Sequence, residues 1–168
     1  DLPKLVKELG QTAVAITDHG VMYGAIDFYR ACKAQGIHPV IGCEVYVARR
    51  TRLDKTYELD AESRHLVLLC ENETGYRNLS YLVSQAFVDG FYIKPRIDLD
   101  LLRRHSEGLI GLSACLAGEI PRRLVNGDYH GAKEYALTMQ DILGEGNFYL
   151  ELQDHGIPDQ TTVNRGLL

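Results

Sequence analysis

Ala13-Val14-Ala15-Ile16-Thr17-Asp18-His19-Gly20 is the stretch that decides the fold. Its apolar residues are typical of a β-strand, the strand ends in Asp-His-Gly, and a helical pattern begins just beyond it. In β/α architectures, active sites gather at the C-terminal ends of the strands, where the last side chains meet a ligand. His19 is therefore the first candidate site residue, and we expect other strand ends to supply partners for it.

The composition is that of an ordinary globular domain. The chain has 168 residues, of which 45% are hydrophobic and 24% charged, enough for one domain with a core. The net charge is −5 without a basic tract, which argues against nonspecific binding of nucleic acid through a broad cationic face. The four cysteines form no CxxC pair, which is typical of reduced thiols in a cytoplasmic protein. With no signal peptide and no apolar run of membrane-spanning length, we expect no membrane partner.

Helical and strand-like patterns alternate along the chain. We predict helices at 3–9, 22–35, 76–87, 98–105, 118–126 and 130–143, and strands at 13–17, 37–47, 65–70, 109–113 and 148–152. Residues 49–64 are polar without a clear period and predict a loop, and residues 91–97 predict an irregular segment. Strands separated by helices predict one α/β domain with a parallel sheet, because parallel strands need crossover connections.

Side chains that can bind a metal recur near the ends of the predicted strands. They are Asp18, His19, Glu44, His65, Cys115, Asp154 and His155. Imidazole, carboxylate and thiolate groups are ligands for Zn²⁺, Mn²⁺ or Fe²⁺. No two of them have the short helical spacing of an HExxH motif, so the indication comes only from their repeated placement at strand ends.

Each of these residues also has a structural interpretation. A histidine at a strand end is commonly a satisfied polar residue, Cys115 can be a small core residue, and Asp18 can cap the following helix. Glu44 lies in an apolar stretch, where an unpaired carboxylate is costly to bury. It therefore needs either a metal or a cationic partner such as Arg64 or Arg96, and the residues alone leave both interpretations open.

Several motifs carry a family resemblance. They lie at 15–20, 22–24, 28–29, 41–46, 65–69, 75–79, 90–97, 105–110, 112–121 and 148–156. Together they resemble the PHP (polymerase and histidinol phosphatase) domain of bacterial replicative DNA polymerase III alpha subunits, over almost the whole chain. Tyr-x-Lys-Pro-Arg at 92–96 and Ser-Ala-Cys-Leu at 113–116 indicate the polymerase branch rather than the small PHP phosphatases.

The resemblance implies a fold and the part of a larger protein that this chain would form. It implies an incomplete, distorted (β/α)7 TIM-like barrel, the PHP fold, lacking its first and last strands. Residues 1–168 would form a single partial PHP domain, without the polymerase palm, fingers or thumb. Both ends of the chain read as helical, so we expect a part of a longer polypeptide.

The resemblance also implies a ligand set. Four positions match metal ligands of the family: His19, Glu44, His65 and Cys115. Asp18, Asp154 and His155 are additional candidates or residues that orient a ligand. The intact family site holds up to three divalent ions, with zinc or manganese expected, and it uses further His-x-His and Asp-x-His ligands expected outside this segment. For the chain alone we therefore expect weak or no metal binding and no hydrolysis.

The implied function is that of one part of a DNA-directed DNA polymerase in DNA replication. This part carries a metal-dependent 3′–5′ exonuclease or phosphoesterase-type site, or has a structural role, and nucleotidyl transfer with its Mg²⁺ belongs elsewhere. Implied partners are DNA and replicase subunits such as a sliding clamp and a proofreading exonuclease. Two alternatives stay open: a free-standing phosphoesterase similar to histidinol phosphatase, against which residues 91–97 argue, and a non-catalytic scaffold for a separate proofreading subunit.

Overall fold

Eight helices and six strands make up the part of the chain that the computed structural model describes, residues 2–168. In chain order they are α1 (Leu2–Glu8), β1 (Ala13–His19), α2 (Ala25–Gln35), β2 (His38–Ala48), α3 (Tyr57–Asp60), β3 (Ser63–Cys70), α4 (Glu73–Val88), β4 (Arg96–Ile97), α5 (Leu99–Arg104), β5 (Leu109–Leu112), α6 (Glu119–Val125), α7 (Tyr129–Leu143), β6 (Phe148–Tyr149) and α8 (Pro158–Leu167). The predicted α/β succession is confirmed, with α3 inside the predicted loop and β4 inside the predicted irregular segment. None of these helices has the length and apolar character needed to cross a membrane.

The strands form one open, mixed sheet in the order β1-β2-β3-β5-β6. β1 pairs with β2 in parallel and β5 with β6 in parallel, while β3 runs antiparallel to both β2 and β5. β4 is parallel to β2 and pairs with it at Tyr46 and Val47, beyond the end of β1. The prediction of a wholly parallel sheet is therefore wrong at β3.

The reversal of β3 follows from the connection before it. Residues 49–62 contain only the four-residue α3, so no full crossover helix carries the chain back to the start of the sheet. An irregular connection of this kind lets a strand return beside its predecessor in the opposite direction. As a result, the beginning of β3 lies at the edge where β1, β2 and β5 end.

The register then sets which side chains meet. His19 lies opposite Glu44, and His65 lies opposite Tyr46. Directly opposed residues share one face of a sheet, and alternate residues of a strand share it too. Glu44, His65 and their two opposed neighbours therefore point to the same face, near one edge.

The other face of the sheet carries the main core. Alternate residues of β2 and β3 pack there against α4, α5 and α7, and the buried members of the cluster include Cys43, Val45, Val47, Leu66, Leu68, Leu79, Leu82, Leu102 and Met139. Burial of this apolar surface is the main driving force for folding of such a domain. The period of two along β2 thus separates an apolar face from a polar one.

Local signals explain where two helices begin and end. Asn72 accepts a hydrogen bond from the Gly75 N–H (3.0 Å), so α4 begins at Glu73, three residues earlier than predicted. Gly36 has a φ of 70° and ends α2 as predicted, its N–H donating to carbonyls of the last turn.

Arg96 holds the β2–β3 connection against the segment that precedes β4. Its side chain is 0% exposed, and its guanidinium donates to the carbonyls of Gly90 (3.1 Å), Asp60 (3.2 Å), Arg52 (3.0 Å) and Asp54 (2.8 Å). Five N–H donors in a rigid fork can satisfy several carbonyls at once, which an ammonium on a flexible stem cannot do from one position. This one side chain therefore closes the connection onto the body of the domain.

Asp60 is the acidic counterpart of this arrangement. Its carboxylate is 0% exposed and accepts from Arg50 Nε (2.9 Å), Arg50 Nη2 (2.5 Å) and the Thr56 N–H (2.8 Å). The hydrogen bonds from Arg50 lower the pKa of Asp60 to about 2, against the effect of burial.

We predict that Arg96→Lys lowers the free energy of unfolding by about 2–4 kcal/mol, because several buried carbonyls lose their donors. Urea unfolding followed by circular dichroism measures the effect. Arg104→Lys is the matched control, since Arg104 pairs with the exposed Asp100, and it should change stability by less than about 0.5 kcal/mol. Equal stabilities of the two variants would contradict the assigned role of Arg96.

The second prediction concerns the contribution of Asp60 to stability at acidic pH. Because the pKa of Asp60 is lower in the folded state than its unfolded value of about 3.9, the ionised carboxylate contributes stability above about pH 4. That contribution is lost as the pH falls towards about 2. We expect the difference in urea midpoint between the wild type and Asp60→Asn to shrink over this range. Asp141→Asn, at an exposed pair with Arg103, is the control, and a difference for Asp60→Asn that is independent of pH would refute the prediction.

Candidate metal centre

Three ligand-type side chains converge at the edge where β1, β2 and β5 end. They are Glu44, His65 and Cys115, here called the three-ligand cluster, and all are half-buried. One ligand atom from each, an oxygen, a nitrogen and a sulfur, lies within 4.8 Å of the other two. His65 Nδ1 is 3.5 Å from Cys115 Sγ and contacts Glu44 Oε1. Among residues 2–168, these three form the group of His, Cys, Asp or Glu side chains that could surround an ion.

The sheet positions the first two members of the cluster. Glu44 lies in the middle of β2 on the polar face, and His65 lies near the start of the reversed β3. The His65 backbone N–H donates to the carbonyl of Ala117 (3.1 Å), which links β3 to the turn after β5. The ring of Tyr46 lies edge-on against the His65 ring, with the centroids 5.2 Å apart. Backbone pairing and aromatic packing therefore fix the position of this imidazole.

A strained turn positions the third member. Ala114 has a φ of 61°, in the left-handed region that an alanine rarely adopts, and its side chain is 2% exposed. Such a conformation costs about 1–2 kcal/mol and persists only where surrounding contacts impose it. The carbonyl of Cys115 accepts from the Gly118 N–H (2.8 Å) and so closes the turn. This turn directs the Cys115 thiol towards His65.

The three groups alter one another's protonation. Hydrogen bonding to Cys115 and then to Glu44 raises the pKa of His65 to about 9, although burial acts in the opposite direction. The His65 imidazole lowers the pKa of Glu44 and also that of Cys115, in both cases against burial. A cation that binds to this set displaces protons from it, as metal ions do at imidazole and thiol ligands.

The Glu44 carboxylate supplies a test of whether a cation fits. Its Oε1 atom is buried and accepts no hydrogen bond of regular geometry from residues 2–168. Two imidazoles nevertheless approach that atom, since His65 Nδ1 contacts it and His19 Nε2 lies 3.3 Å away. A metal ion at this point would be coordinated by the buried carboxylate oxygen and by the imidazole nitrogen that already meets it, after displacing the proton between them. An oxygen, nitrogen and sulfur donor set of this kind fits zinc.

His19 and Asp18 lie differently although they are adjacent. The His19 side chain is 67% exposed, and its ring centroid is 6.2 Å from that of His65, so it stands at the open side of the cluster. Asp18 lies on the opposite face of β1 from His19, and its Oδ2 accepts a hydrogen bond from the Gly24 N–H (3.1 Å). The structure therefore places the Asp18 carboxylate in the turn before α2, where it binds Gly24 and does not cap the helix, since α2 has no side-chain cap.

The arginine partners considered for Glu44 are not its partners. Arg64 Nε donates to Glu119 Oε2 (2.9 Å), and the Arg64 side chain lies on the opposite face of β3 from His65. Arg96 is occupied by backbone carbonyls. The interpretation of Glu44 as half of an arginine ion pair is wrong.

Asp154 and His155 lie in the segment between β6 and α8. The His155 N–H donates to Gln160 Oε1 (2.8 Å), and Gln160 Nε2 is 2.9 Å from His155 Nδ1. Asp154 Oδ1 accepts from the Gly156 N–H (3.3 Å). These contacts are local, and the structure does not bring either side chain into the three-ligand cluster. The strand predicted at 148–152 is also shorter, since β6 pairs only at Phe148 and Tyr149.

The sequence did not reveal that Tyr46 and Lys94 lie beside the three-ligand cluster. Tyr46 is buried on the polar face of β2, and Lys94 Nζ lies 5.4 Å from the centroid of its ring. A Cβ atom on Gly20 would lie 2.8 Å from Tyr46 Cε2, so the ring can close on this position only because it is glycine. Alternation along β2 could have placed Tyr46 beside Glu44, but no pattern in the sequence brings Lys94 to it.

Cys43 shows how β2 separates the two faces. It adjoins Glu44 in sequence but is fully buried on the apolar face, where its thiol donates to the Asp18 carbonyl (3.2 Å). Burial raises the pKa of Cys43 to about 12, which suits a core residue. All four cysteines of the chain are free thiols.

Comparison with known proteins identifies relatives over almost the whole chain. The PHP domain family matches residues 1–155. DNA polymerase III subunit alpha of Treponema pallidum is 46% identical over 163 residues, which are 96% of this chain and 14% of that protein. The corresponding subunit of Borreliella burgdorferi is 45% identical over 169 residues, which are 100% of this chain and 15% of that protein. The chain thus spans about one seventh of the length of these curated relatives.

A solved structure supports the fold. It is that of a Bifidobacterium adolescentis protein proposed to be a metal-dependent phosphoesterase, and it superposes with a TM-score of 0.52 at 14% identity. The match covers 98% of this chain and 77% of that one. The mixed α/β sheet described above is therefore a PHP fold, and this chain, homologous to the PHP region of DNA polymerase III alpha subunits, belongs to the PHP domain family.

Proposed function

We propose that the chain is the PHP module of a DNA polymerase III alpha subunit and that the three-ligand cluster binds a divalent metal ion. The identity of about 45% to such subunits over nearly the whole chain supports the first part. The observation that carries the second part is the convergence of an oxygen, a nitrogen and a sulfur ligand atom from Glu44, His65 and Cys115 within 4.8 Å of one another.

Zinc is the ion that suits this donor set best. A thiolate ligand favours a borderline ion such as Zn²⁺ over the harder Mn²⁺, which prefers oxygen ligands. Glu44, His65 and Cys115 provide three protein ligands, and His19 lies at the open side. Catalytic zinc sites commonly combine three protein ligands with one open position. The absence of the His-x-His and Asp-x-His ligands from this segment predicted weak metal binding or none. Because Glu44, His65 and Cys115 already converge, we propose instead that the chain binds one ion.

The site suits phosphoester hydrolysis. A divalent ion held there would supply Lewis-acid activation of water and of a phosphoryl oxygen. The chain's own residues would orient the reactants: the Tyr46 ring walls one side of the cluster, and the exposed His19 imidazole can meet a substrate or donate a proton to it.

For the whole protein we propose a metal-dependent 3′–5′ exonuclease at this site, beside a Mg²⁺-dependent DNA polymerase activity carried elsewhere. DNA, a sliding clamp and a proofreading exonuclease subunit are the proposed partners, and the cytoplasm, with which four free thiols agree, is the proposed location. The similarity to alpha subunits supports this assignment over a free-standing phosphoesterase.

We predict that the chain binds one equivalent of Zn²⁺ and that Cys115→Ser or Glu44→Gln weakens binding by about 100-fold or more, because each removes a direct ligand. Calorimetric titration and metal analysis after dialysis measure this. Cobalt(II) loading adds a specific signal, a thiolate-to-metal charge-transfer band that should vanish in Cys115→Ser. Cys70→Ser, a half-buried free thiol outside the cluster, should retain both zinc and the band. An unchanged band in Cys115→Ser would exclude this thiol as a ligand.

The exonuclease proposal is tested in the whole alpha subunit. We expect Glu44→Gln to reduce removal of a mismatched 3′ nucleotide by at least about tenfold, because the metal is lost, while primer extension stays within about twofold. Gel analysis of a labelled primer–template measures both rates, with Cys70→Ser as the control. Full 3′ hydrolysis by a metal-free Glu44→Gln protein would place the exonuclease elsewhere. A parallel loss of both activities would favour a structural role for the module.

A further inference from the structure

Lys94 lies at the end of a short chain of contacts that starts at the three-ligand cluster. The His65 ring packs against the Tyr46 ring at 5.2 Å, and Lys94 Nζ lies 5.4 Å from the centroid of the same Tyr46 ring. The residue after Lys94 packs here as well, since Pro95 Cγ would lie 3.1 Å from a Cβ atom on Gly20. The ammonium group therefore lies one aromatic ring away from a metal-ligand imidazole.

An unusual turn holds Lys94 in this place. The Lys94 N–H donates to the Tyr92 carbonyl (2.7 Å), and the Tyr92 N–H donates to the Lys94 carbonyl (3.0 Å). Ile93 between them has a φ of 62°, a conformation that is unfavourable for a β-branched residue, and its side chain is exposed. Packing of Ile93 does not compensate for this strain, so the turn is maintained by its hydrogen bonds and by the packing of Pro95 beside Gly20. Strain of this kind is concentrated at sites of function.

The ammonium group of Lys94 has no acidic partner among the described residues. The residue is exposed, and no carboxylate of residues 2–168 lies within 4.0 Å of its ammonium nitrogen. The chain as a whole carries a net charge of −5, and Glu44 adds negative charge at the cluster itself. A cation beside the cluster therefore adds to the attraction that the proposed metal ion exerts on an anionic substrate.

We infer that Lys94 binds the phosphate group of the ester that is hydrolysed at the three-ligand cluster, an inference that rests on the proposed function. A lysine ammonium is a compact charge with three donors and a flexible stem, suited to phosphate oxygens. The Tyr46 ring holds it at the side of the cluster, where it can neutralise phosphate without competing for the metal. The turn at Ile93 presets its direction before substrate arrives.

Lys33 provides a matched control. Its Nζ lies 5.4 Å from the centroid of the Tyr29 ring, the same lysine-over-tyrosine geometry, but on α2 and outside the cluster. If Lys94 served only to pack on its tyrosine, removal of either ammonium would have the same consequence.

The experiment uses the 168-residue chain loaded with zinc and inorganic phosphate as the probe. Zinc content is measured first for each variant, and phosphate affinity is then measured by phosphorus NMR titration. We expect Lys94→Met to keep its zinc and to bind phosphate about tenfold more weakly, the loss typical for one charged hydrogen bond. Lys94→Arg should recover most of the affinity, because it keeps the charge, and Lys33→Met should match the wild type.

The outcomes separate this inference from the one on which it rests. If the wild type binds no zinc, the proposed metal site fails, and the phosphate subsite fails with it. If zinc binds but Lys94→Met binds phosphate within about twofold of Lys33→Met, the metal site stands and the role of Lys94 is overturned. The same conclusion holds if the zinc-loaded wild type binds no phosphate.

Discussion

The antiparallel pairing of β2 with β3 is the constraint on which the site depends. In that register His65 lies opposite Tyr46, two positions along the strand from Glu44, and all three side chains share one face. Had β3 run parallel to β2, its first residues would lie at the opposite edge of the sheet, far from the ends of β1 and β5. The direction of one strand therefore decides whether an imidazole and a carboxylate meet.

That pairing depends in turn on a connection without a crossover helix. Residues 49–62 are held by the buried guanidinium of Arg96 and by the buried carboxylate of Asp60, each satisfied by several partners. Buried charges are stable only when such partners are complete, so the connection has little freedom to rearrange. Arg96 belongs to β4, which joins β2 beyond the end of β1, and its guanidinium carbon lies 5.3 Å from the centroid of the Tyr92 ring in the turn that carries Lys94. The contacts that hold the sheet therefore extend to the turn that places Lys94 beside the site.

The sequence was informative where local patterns decide the outcome and less so where distant segments meet. Alternation of helix and strand, the end of α2 at Gly36 and the convergence of Glu44, His65 and Cys115 could all be predicted, the last with the help of family motifs. The direction of β3 was missed although residues 49–64 already read as a loop, which is the connection an antiparallel return needs. Arg96 and Lys94 could not be placed from sequence, because their partners lie on other segments and depend on tertiary contacts.

The opposite burial of Cys43 and Glu44 has a consequence for how the sheet assembles. A slip of β2 by one residue against its neighbours would turn the carboxylate into the apolar layer beside Leu66 and Leu68 and the thiol out of it. Desolvation of an unpaired charge makes that misaligned sheet far less stable than the native one. Glu44, a ligand-type residue of the polar face, therefore also favours the native alignment of β2 while the chain folds.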